Sequence, residues 1–208
     1  MPDKLGWRAN WGVIAPSTNT SVQPEFDEMR PRGVTNHMSR IWIPNDPVTS
    51  DEEFNNLMLN IRKEWDNAIL RVMTCNPDYL VMGMSSETFW GGLAQANELR
   101  ARMTEMTGLR VAMGSDACQA ALRCYGDIKR IGVLTPYWPI ADKNVKLFLE
   151  DCGFEVVVIK GLCCEGPTEM AQVTEKVMLD ALLELNEHNV EALLQCGTNL
   201  AIDRKSVV

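Results

Sequence analysis

The feature that most constrains the fold of this chain is a strand-like motif that occurs twice. The segment Asn10–Ser17 reads NWGVIAPS and the segment Arg130–Tyr137 reads RIGVLTPY, so each contains Gly-Val, then Ile or Leu, one further residue and Pro. In each copy an apolar run typical of a buried strand ends in polar groups. A later apolar run in each half also ends in a small or polar cluster, Gly83–Ser85 in the first half and Cys196–Thr198 in the second. This pattern predicts an internal duplication of βα units.

The duplication predicts an α/β protein of two pseudosymmetric Rossmann-like (flavodoxin-like) domains with parallel sheets and an active site in the cleft between them. We place the N-terminal half at residues 1–127 and the C-terminal half at residues 128–208. Beyond the repeated motifs, strands are predicted at 37–43, 79–84, 109–113, 154–159 and directly before Cys196. Helices are predicted at 51–74, 89–107, 115–125, 140–152 and 168–187. The apolar face of helix 51–74 is assigned to the core.

Polar side chains follow several of the predicted strands at their carboxyl ends, where ligands bind in open α/β sheets. They are Ser17 and Asn19, Ser85 and Ser86, Tyr137, and the group Cys196-Gly197-Thr198. These groups could also have a purely structural role. The Ser17/Asn19 and Ser85/Ser86 groups suit a turn followed by a helix N-cap. A free cysteine such as Cys196 is commonly a small buried hydrophobic residue. Two facing halves would bring Cys196 together with Ser85, Asn19 and Tyr137 in one cleft. A thiol flanked there by N–H groups at a helix N-terminus is placed to be a reactive group.

The composition narrows the range of partners. A net charge of −8 and a pI near 4.9 argue against nucleic acid and membrane surfaces, while a small anionic substrate stays open because local dipoles can outweigh the global charge. Seven cysteines without a Cys-x-x-Cys motif and only His37 and His188 besides give little support for a metal centre, so no metal is predicted. The thiols indicate a reduced, cytoplasmic protein, and no stretch reads as a signal peptide or a membrane span.

Taken together, these residues resemble the Asp/Glu racemase superfamily, and specifically its branch of maleate isomerases and arylmalonate decarboxylases. The matching signatures are Gly12–Thr20, the strand-loop-helix at 82–92, Leu134–Tyr137 and Gln195–Gly197, in the same order over nearly the whole chain. The resemblance implies two α/β domains and chemistry without a cofactor on a small carboxylate substrate at their interface.

The resemblance also bears on the reaction. Racemases and isomerases of this group carry one cysteine in each half, and here Cys196 matches the second position while the first falls at Gly83. One cysteine at the second position with glycine at the first is the pattern of arylmalonate decarboxylase. Proton removal on one face of a substrate and delivery on the other needs two acid/base groups, whereas decarboxylation followed by protonation on one face needs one. Met84 departs from the decarboxylase pattern, which has a hydroxyl-bearing residue there, and the loop at 16–20 is closer to that of the isomerases.

The mechanism that this resemblance implies uses Cys196 as the catalytic proton donor, with Tyr137 and Ser85 as catalytic hydroxyls. One carboxylate would lie in a cradle of hydroxyls and N–H groups that stabilises the enediolate left by departure of the other carboxylate from an apolar pocket. The substrate-binding residues are expected to be Ser17, Asn19, Gly83, Met84, Ser86, Gly197 and Thr198.

Two other functions stay open. A maleate cis-trans isomerase or an Asp/Glu-type racemase would need a second acid/base group opposite Cys196, for which the Ser86-Glu87 pair is a candidate. Family members continue beyond the point equivalent to Val208 through a further helix and strand, so a shortened, non-catalytic carboxylate-binding member is the third interpretation. An uncovered sheet face or edge would then seek a partner, and a homo-oligomer is one expectation.

Overall fold

The computed structural model describes residues 3–201 and contains two parallel β-sheets. The strands are β1 (Ala9–Pro16), β2 (Val34–Ile41), β3 (Tyr79–Met82), β4 (Val111–Met113), β5 (Arg130–Thr135), β6 (Glu155–Gly161) and β7 (Ala192–Gln195). The first sheet has the order β2-β1-β3-β4 and the second has the order β6-β5-β7, with every neighbouring pair parallel. The predicted α/β class with two parallel sheets is therefore confirmed, while the domain division between residues 127 and 128 stays a prediction.

Helices connect the strands. They are α1 (Val22–Met29), α2 (Asp51–Met73), α3 (Ser85–Phe89), α4 (Gly92–Thr107), α5 (Gly114–Cys124), α6 (Pro139–Asp151) and α7 (Glu175–Asn186), with a 3₁₀ turn at Glu169–Gln172. The 23-residue helix α2 begins where the Ser50 hydroxyl accepts a hydrogen bond from the Glu53 N–H at 3.2 Å, and its first turn is acidic, which suits the positive end of the helix dipole.

The two halves are related at the level of individual hydrogen bonds. In the first sheet β1 pairs with β2 and β3, and in the second β5 pairs with β6 and β7. Just beyond β3, the Gly83 N–H donates to the Ile14 carbonyl at 2.7 Å, and just beyond β7, the Cys196 N–H donates to the Leu134 carbonyl at 2.8 Å. Ile14 and Leu134 occupy the same place in the repeated motif. Gly83 and Cys196 are therefore structurally equivalent positions.

The helix predicted at 89–107 is wrong in one respect, because the chain forms two helices there. Gly91 and Gly92 take left-handed φ values of 72° and 73°, which separate α3 from α4. The N–H of Gly91 donates to Asn144 Oδ1 at 2.8 Å and the N–H of Leu93 donates to Asp151 Oδ2 at 3.0 Å. Both acceptors belong to α6 of the other half, so a tertiary contact satisfies the donors that a continuous helix would have used itself.

Three further boundaries differ from prediction. The helix predicted at 168–187 begins only at Glu175, where the Thr174 hydroxyl accepts from the Val177 N–H. Helix α5 begins at Gly114 rather than after a capping Ser115 or Asp116, and the buried Ser115 hydroxyl has no hydrogen-bond partner. Strand β2 lies earlier than the predicted 37–43.

The halves share one hydrophobic core. Phe89 packs edge-on against Phe148 with 5.2 Å between ring centroids, and a single buried cluster includes side chains of both sheets. Asp51, at the start of α2, accepts the Ile140 N–H at 2.8 Å and so caps α6 across the boundary. Contacts between the two halves therefore fix the cleft between the two sheets. Within residues 3–201, no helix is long and apolar enough to cross a membrane.

Candidate active site

A cavity lies between the two sheets at the carboxyl ends of β1, β2, β3, β5 and β7. It contains about 470 Å³ of empty space when the space at its open mouth is counted. Its apolar wall is formed by Ile43, Phe54, Leu57, Met58, Ile61, Met84 and Met170. Its remaining lining is Pro16, Thr18, Asn19, Ser85, Ser86, Tyr137, Pro167, Gly197, Thr198 and Asn199. The α2 side chains that the sequence assigns to the core are buried, except Leu57, which is half-buried. Four α2 residues also form one wall of this cavity.

Hydroxyl groups from both halves meet on the polar side of the cavity. The Ser85 hydroxyl, on α3, lies 2.5 Å from the Tyr137 hydroxyl, which follows β5. The Thr198 N–H donates to Ser85 Oγ at 3.1 Å, and the Thr198 hydroxyl donates to the Gly83 carbonyl at 3.3 Å. Burial raises the pKa of Tyr137 far above its ordinary value, so its phenol stays protonated and can donate a hydrogen bond. The arrangement is a compact donor cluster against which an anionic oxygen could lie.

Asn19 is held with its amide nitrogen toward this cluster. Its Oδ1 accepts the N–H groups of Ser21 and Val22 at 3.0 and 2.9 Å, which fixes the carbonyl at the start of α1. Its Nδ2 donates to the Thr198 hydroxyl at 3.2 Å. The sequence left helix capping and substrate binding as alternative roles for this loop. The Asn19 side chain performs the first through Oδ1 and turns Nδ2 toward the cavity cluster. The Arg40 guanidinium also donates to the Asn19 backbone carbonyl at 2.8 Å and so helps to fix this loop.

The segment that carries Tyr137 rests on a buried carboxyl group. Asp142 Oδ1 accepts from the Thr135 hydroxyl at 2.5 Å, and Thr135 Oγ1 in turn accepts the Tyr137 N–H at 3.1 Å. Burial, opposed by the bond from Thr135, raises the pKa of Asp142 to about 6. Asp142 does not line the cavity, so it acts on the site through the position of Tyr137.

Cys196 lies at the end of β7 and is 2% exposed. It does not line the cavity, although the next residue, Gly197, does. Cys118, on α5, packs against the hydrophobic cluster that contains Cys196. Interaction with the Cys118 thiol, followed by burial, raises the pKa of Cys196 well above the ordinary cysteine value, so Cys196 is a protonated thiol at neutral pH. The helix whose N-terminus the sequence places beside Cys196 would extend into residues 202–208, which lie outside the described part of the chain.

The sequence interpretation gave Cys118 no role. Ser115, Cys118 and Leu122 recur at helical spacing on one side of α5, which marks an inward face, but nothing in that spacing says which side chain of the other half it meets. All seven cysteines are free thiols.

Two predicted substrate-binding residues do not reach the cavity. The Ser17 hydroxyl lies 3.1 Å from the Ile43 N–H and 3.3 Å from its carbonyl, so it joins the loop after β1 to the chain after β2. A Cβ added at Gly83 would lie 3.0 Å from Val22 Cγ1 and 3.1 Å from the Ile14 carbonyl, so this position has no free space for a side chain. The other predicted binding residues, Asn19, Met84, Ser86, Gly197 and Thr198, line the cavity together with Ser85 and Tyr137.

The described lining contains no Asp, Glu, His, Lys or Arg, and Tyr137 is its one residue with an ionisable side chain. Glu87, the candidate for a second acid/base group, is turned away and pairs with Arg62 at 2.7 Å. Its pKa is raised by burial, against the opposing effect of Arg62. Among residues 3–201, no three His, Cys, Asp or Glu side chains lie close enough together to hold a metal ion.

Comparison with known proteins identifies relatives. The family model described as arylmalonate decarboxylase matches residues 73–206. A search of curated proteins by sequence finds no significant match. Among solved structures, a variant of Nocardia farcinica maleate cis-trans isomerase with a covalently bound succinylcysteine intermediate superposes with a TM-score of 0.80 at 19% identity, covering 92% of this chain and 79% of that one.

Two further structures have the same fold. A liganded arylmalonate decarboxylase variant, carrying a glycine-to-cysteine and a cysteine-to-serine exchange, has a TM-score of 0.76 at 20% identity and covers 93% of this chain and 80% of that chain. The maleate isomerase of Pseudomonas putida S16 with maleate has a TM-score of 0.75 at 18% identity over 92% and 79%. These structural similarities establish a shared fold. In this chain, the cavity described above lies between its two sheets.

Proposed function

Because the chain belongs to the arylmalonate decarboxylase family, we propose that it is a cofactor-independent enzyme that decarboxylates a malonate with an apolar substituent. The observation that carries this proposal is the division of the cavity into one polar side, built from neutral hydrogen-bond donors, and one apolar wall. A carboxylate that is to be retained needs donors, while a carboxylate that is to leave as CO₂ is best surrounded by apolar groups, since loss of its charge is then favoured.

In this proposal the retained carboxylate binds to the donor cluster of Ser85, Tyr137 and the Thr198 N–H, with the Asn19 amide beside it. Ser86, Gly197 and Met84 also line the cavity, and the Ser86 hydroxyl donates to the sulfur of Met58 at 3.6 Å. The apolar substituent of the substrate lies against α2, where Phe54, Met58 and Ile61 face the cavity. Binding without a lysine or arginine keeps the carboxylate weakly stabilised in the ground state, so that the donors act most strongly on the charge that develops.

The chemical step then requires no group beyond those present. The bond between the α-carbon and the departing carboxylate breaks, CO₂ leaves, and the electron pair passes onto the retained carboxylate as an enediolate. The donor cluster stabilises this dianionic oxygen pair. The α-carbon then accepts the proton of the Cys196 thiol, which leaves a thiolate that water reprotonates before the next turnover.

For this transfer the sulfur of Cys196 must reach the cavity. Cys196 is buried, and the residue that follows it, Gly197, lines the cavity. The high pKa of Cys196 suits a proton donor and disfavours the thiolate that an isomerase would use to attack an alkene.

Isomerisation of maleate is the second candidate. The fold similarity to two maleate isomerases and the cavity-facing Asn19 favour it. Against it stands the lack of a second acid/base group in the first half, where Gly83 occupies the position equivalent to Cys196 and Glu87 pairs with Arg62. Phenylmalonate and maleate are therefore the substrates that separate the two.

The test is proton NMR in deuterated buffer, with the wild-type protein, C196A and C124A each offered phenylmalonate or maleate. Cys124 is an exposed cysteine of α5, and its variant controls for loss of a thiol as such. Loss of phenylmalonate with deuterium at the α-carbon of the product, abolished in C196A and retained in C124A, supports the decarboxylase. Fumarate formed from maleate overturns it in favour of the isomerase. Turnover of neither compound by a folded protein, with carboxylate binding unaffected by C196A, supports the non-catalytic alternative.

A further inference from the structure

One side chain, that of Asn199, joins segments that line opposite sides of the cavity. Asn199 follows β7, is 6% exposed and itself lines the cavity. Its Oδ1 accepts the Thr20 N–H at 3.0 Å, and its Nδ2 donates to the Pro167 carbonyl at 2.9 Å. Thr20 belongs to the loop after β1, and Pro167 belongs to the segment between β6 and α7. Asn199 therefore connects a loop of the first half with two segments of the second half.

The contact with Thr20 fixes the loop on the polar side of the cavity. The peptide group between Asn19 and Thr20 is held at both ends, because its carbonyl accepts from Arg40 at 2.8 Å and its N–H donates to Asn199. A planar peptide group held in this way cannot rotate without losing a hydrogen bond. The Asn19 side chain, whose amide donates to the Thr198 hydroxyl at 3.2 Å, starts from this fixed backbone. Asn199 thus helps to aim the Asn19 amide at the donor cluster.

The contact with Pro167 fixes a segment that contributes to the apolar wall. The peptide group between Pro167 and Thr168 is also held at both ends, because its carbonyl accepts from Asn199 and its N–H donates to Asn45 Oδ1 at 3.3 Å. The 3₁₀ turn that carries Met170 begins at the next residue, and Met170 lines the cavity. The position of Met170 relative to the donor cluster therefore depends on Asn199.

Both polar ends of Asn199 are used by the protein. A reversed amide would place its NH₂ group against the Thr20 N–H and its oxygen against the Pro167 carbonyl, so the two contacts together define one orientation. A buried amide fixed at both ends acts as a spacer between its two partners. The polar side and the apolar wall, which come from different segments, are linked through it.

We propose that Asn199 is a positioning residue that sets the spacing between the donor cluster and the apolar wall, and so determines how well a carboxylate with an apolar substituent is held. The inference rests on the proposed function and deepens it, because it names what adjusts the site to the substituent. A ligand that contacts both sides of the cavity needs both contacts of Asn199. A carboxylate without a substituent needs only the contact that fixes the loop of Asn19.

Three variants test the proposal. N199D keeps an oxygen for the Thr20 N–H but replaces the amide donor by an oxygen that repels the Pro167 carbonyl. N199A removes both contacts. N56D is the matched control, because Asn56 is an exposed asparagine of α2 outside the cavity lining.

The first readout is amide hydrogen exchange by NMR in the protein without ligand, at the Thr20 and Thr168 N–H groups. In N199D we expect the protection of Thr168 to fall about tenfold while that of Thr20 stays as in the wild type, since only the bond to Pro167 is broken. N199A should lower both, and N56D neither. Unchanged exchange at both amides in N199D and N199A would overturn the positioning role.

The second readout is the dissociation constant of phenylacetate and of acetate, measured by NMR titration. The two ligands share a carboxylate, differ in the apolar group, and lack the second carboxylate that the reaction would remove. N199D should weaken phenylacetate about tenfold and leave acetate unchanged, whereas N199A should weaken both ligands, and phenylacetate more. Equal effects of N199D on the two ligands would overturn the role in specificity.

Two kinds of failure are distinguishable from failure of the inference. If N199D does not fold by near-ultraviolet circular dichroism, N199A decides the question, and equal weakening of both ligands in N199A overturns the inference. If the wild type releases no CO₂ from phenylmalonate, the proposed decarboxylase is wrong. Amide exchange and ligand binding do not depend on turnover, so they still test the role of Asn199.

Discussion

Equivalent strands of the two halves are followed by residues with different chemistry. In the first half β3 ends at Gly83, where a side chain would press against Val22, and the polar groups follow on α3. In the second half β7 is followed by Cys196, whose side chain is buried in the hydrophobic core. The same backbone position, defined by the same hydrogen bond to the central strand, therefore carries no group in one half and a thiol in the other. The difference favours chemistry that needs a proton donor on one side of the substrate only.

The loops after the central strands differ in a related way. After β1, the neutral Asn19 amide caps α1 and turns its nitrogen to the cavity. After β5, a buried carboxyl group, Asp142, orders the segment that carries Tyr137 through Thr135. The second half therefore introduces an acid with a raised pKa that orders a cavity-lining residue, and its contribution is expected to depend on pH. An acid of the first half, Glu87, also has a raised pKa but pairs with Arg62 and does not line the cavity.

The strongest test of this asymmetry is removal of the thiol. With the preferred malonate, we expect C196A to lower kcat by about 10²–10⁴-fold, the range that general acid catalysis contributes. Initial rates of CO₂ release measure the effect, with C124A as the control. A C196A protein with wild-type kcat would show that the second half does not supply the proton.

The next effect concerns the hydroxyl pair that bridges the halves. Y137F removes a donor from the second half and S85A removes its partner from the first, and each should lower kcat by about 10²–10³-fold, as loss of one oxyanion donor does. Because the two hydroxyls bond to each other, the double variant should lose little more than either single one. Y125F, at an 83% exposed tyrosine, is the control. Losses that multiply in the double variant would mean that the halves bind the substrate independently.

The buried carboxyl group gives the second half a pH-dependent stability. Since burial raises the pKa of Asp142 from 3.8 to about 6, the folded state binds its proton more tightly than the unfolded chain does. The stability that this proton contributes is complete below pH 4 and is lost as pH rises through about 6. The wild type should therefore lose about 2 kcal/mol of unfolding free energy relative to D142N between pH 4 and pH 7. Urea denaturation of both proteins at the two pH values measures this, and parallel pH dependences of the two proteins would contradict it.

The smallest effect tests whether the first half could hold a side chain at its strand end. G83A places a Cβ about 3.0 Å from Val22 Cγ1, and overpacking of this kind should lower the unfolding free energy by about 1–3 kcal/mol. G114A is the control, because a Cβ there meets only Thr88 Oγ1, at 3.8 Å. If G83A is as stable as G114A, steric crowding does not explain why glycine occupies position 83. The difference between Gly83 and Cys196 is then one of chemistry alone.

Most of the fold follows from patterns that are local in the chain. Apolar runs closed by Pro, Gly or Ser placed the strands and their carboxyl ends, and the repeated Gly-Val motif indicated two related halves. Helix α2 was predicted almost to the residue, since its capping serine, acidic first turn and apolar spacing all lie within one segment. For the same reason the sequence could name Asn19, Ser85, Tyr137 and Thr198, whose positions at strand ends suffice to bring them together.

What the sequence could not determine depends on contacts between distant segments. The break between α3 and α4 is stabilised by Asn144 and Asp151 of the other half, and the apolar face of α2 became a cavity wall because the polar cluster lies opposite it. Local spacing shows that Cys118 faces inward, but only packing of the two halves puts it against the hydrophobic cluster that contains Cys196, because the two lie 78 positions apart in the chain. Burial and hydrogen bonding set the protonation of a thiol, and both are properties of the assembled tertiary structure.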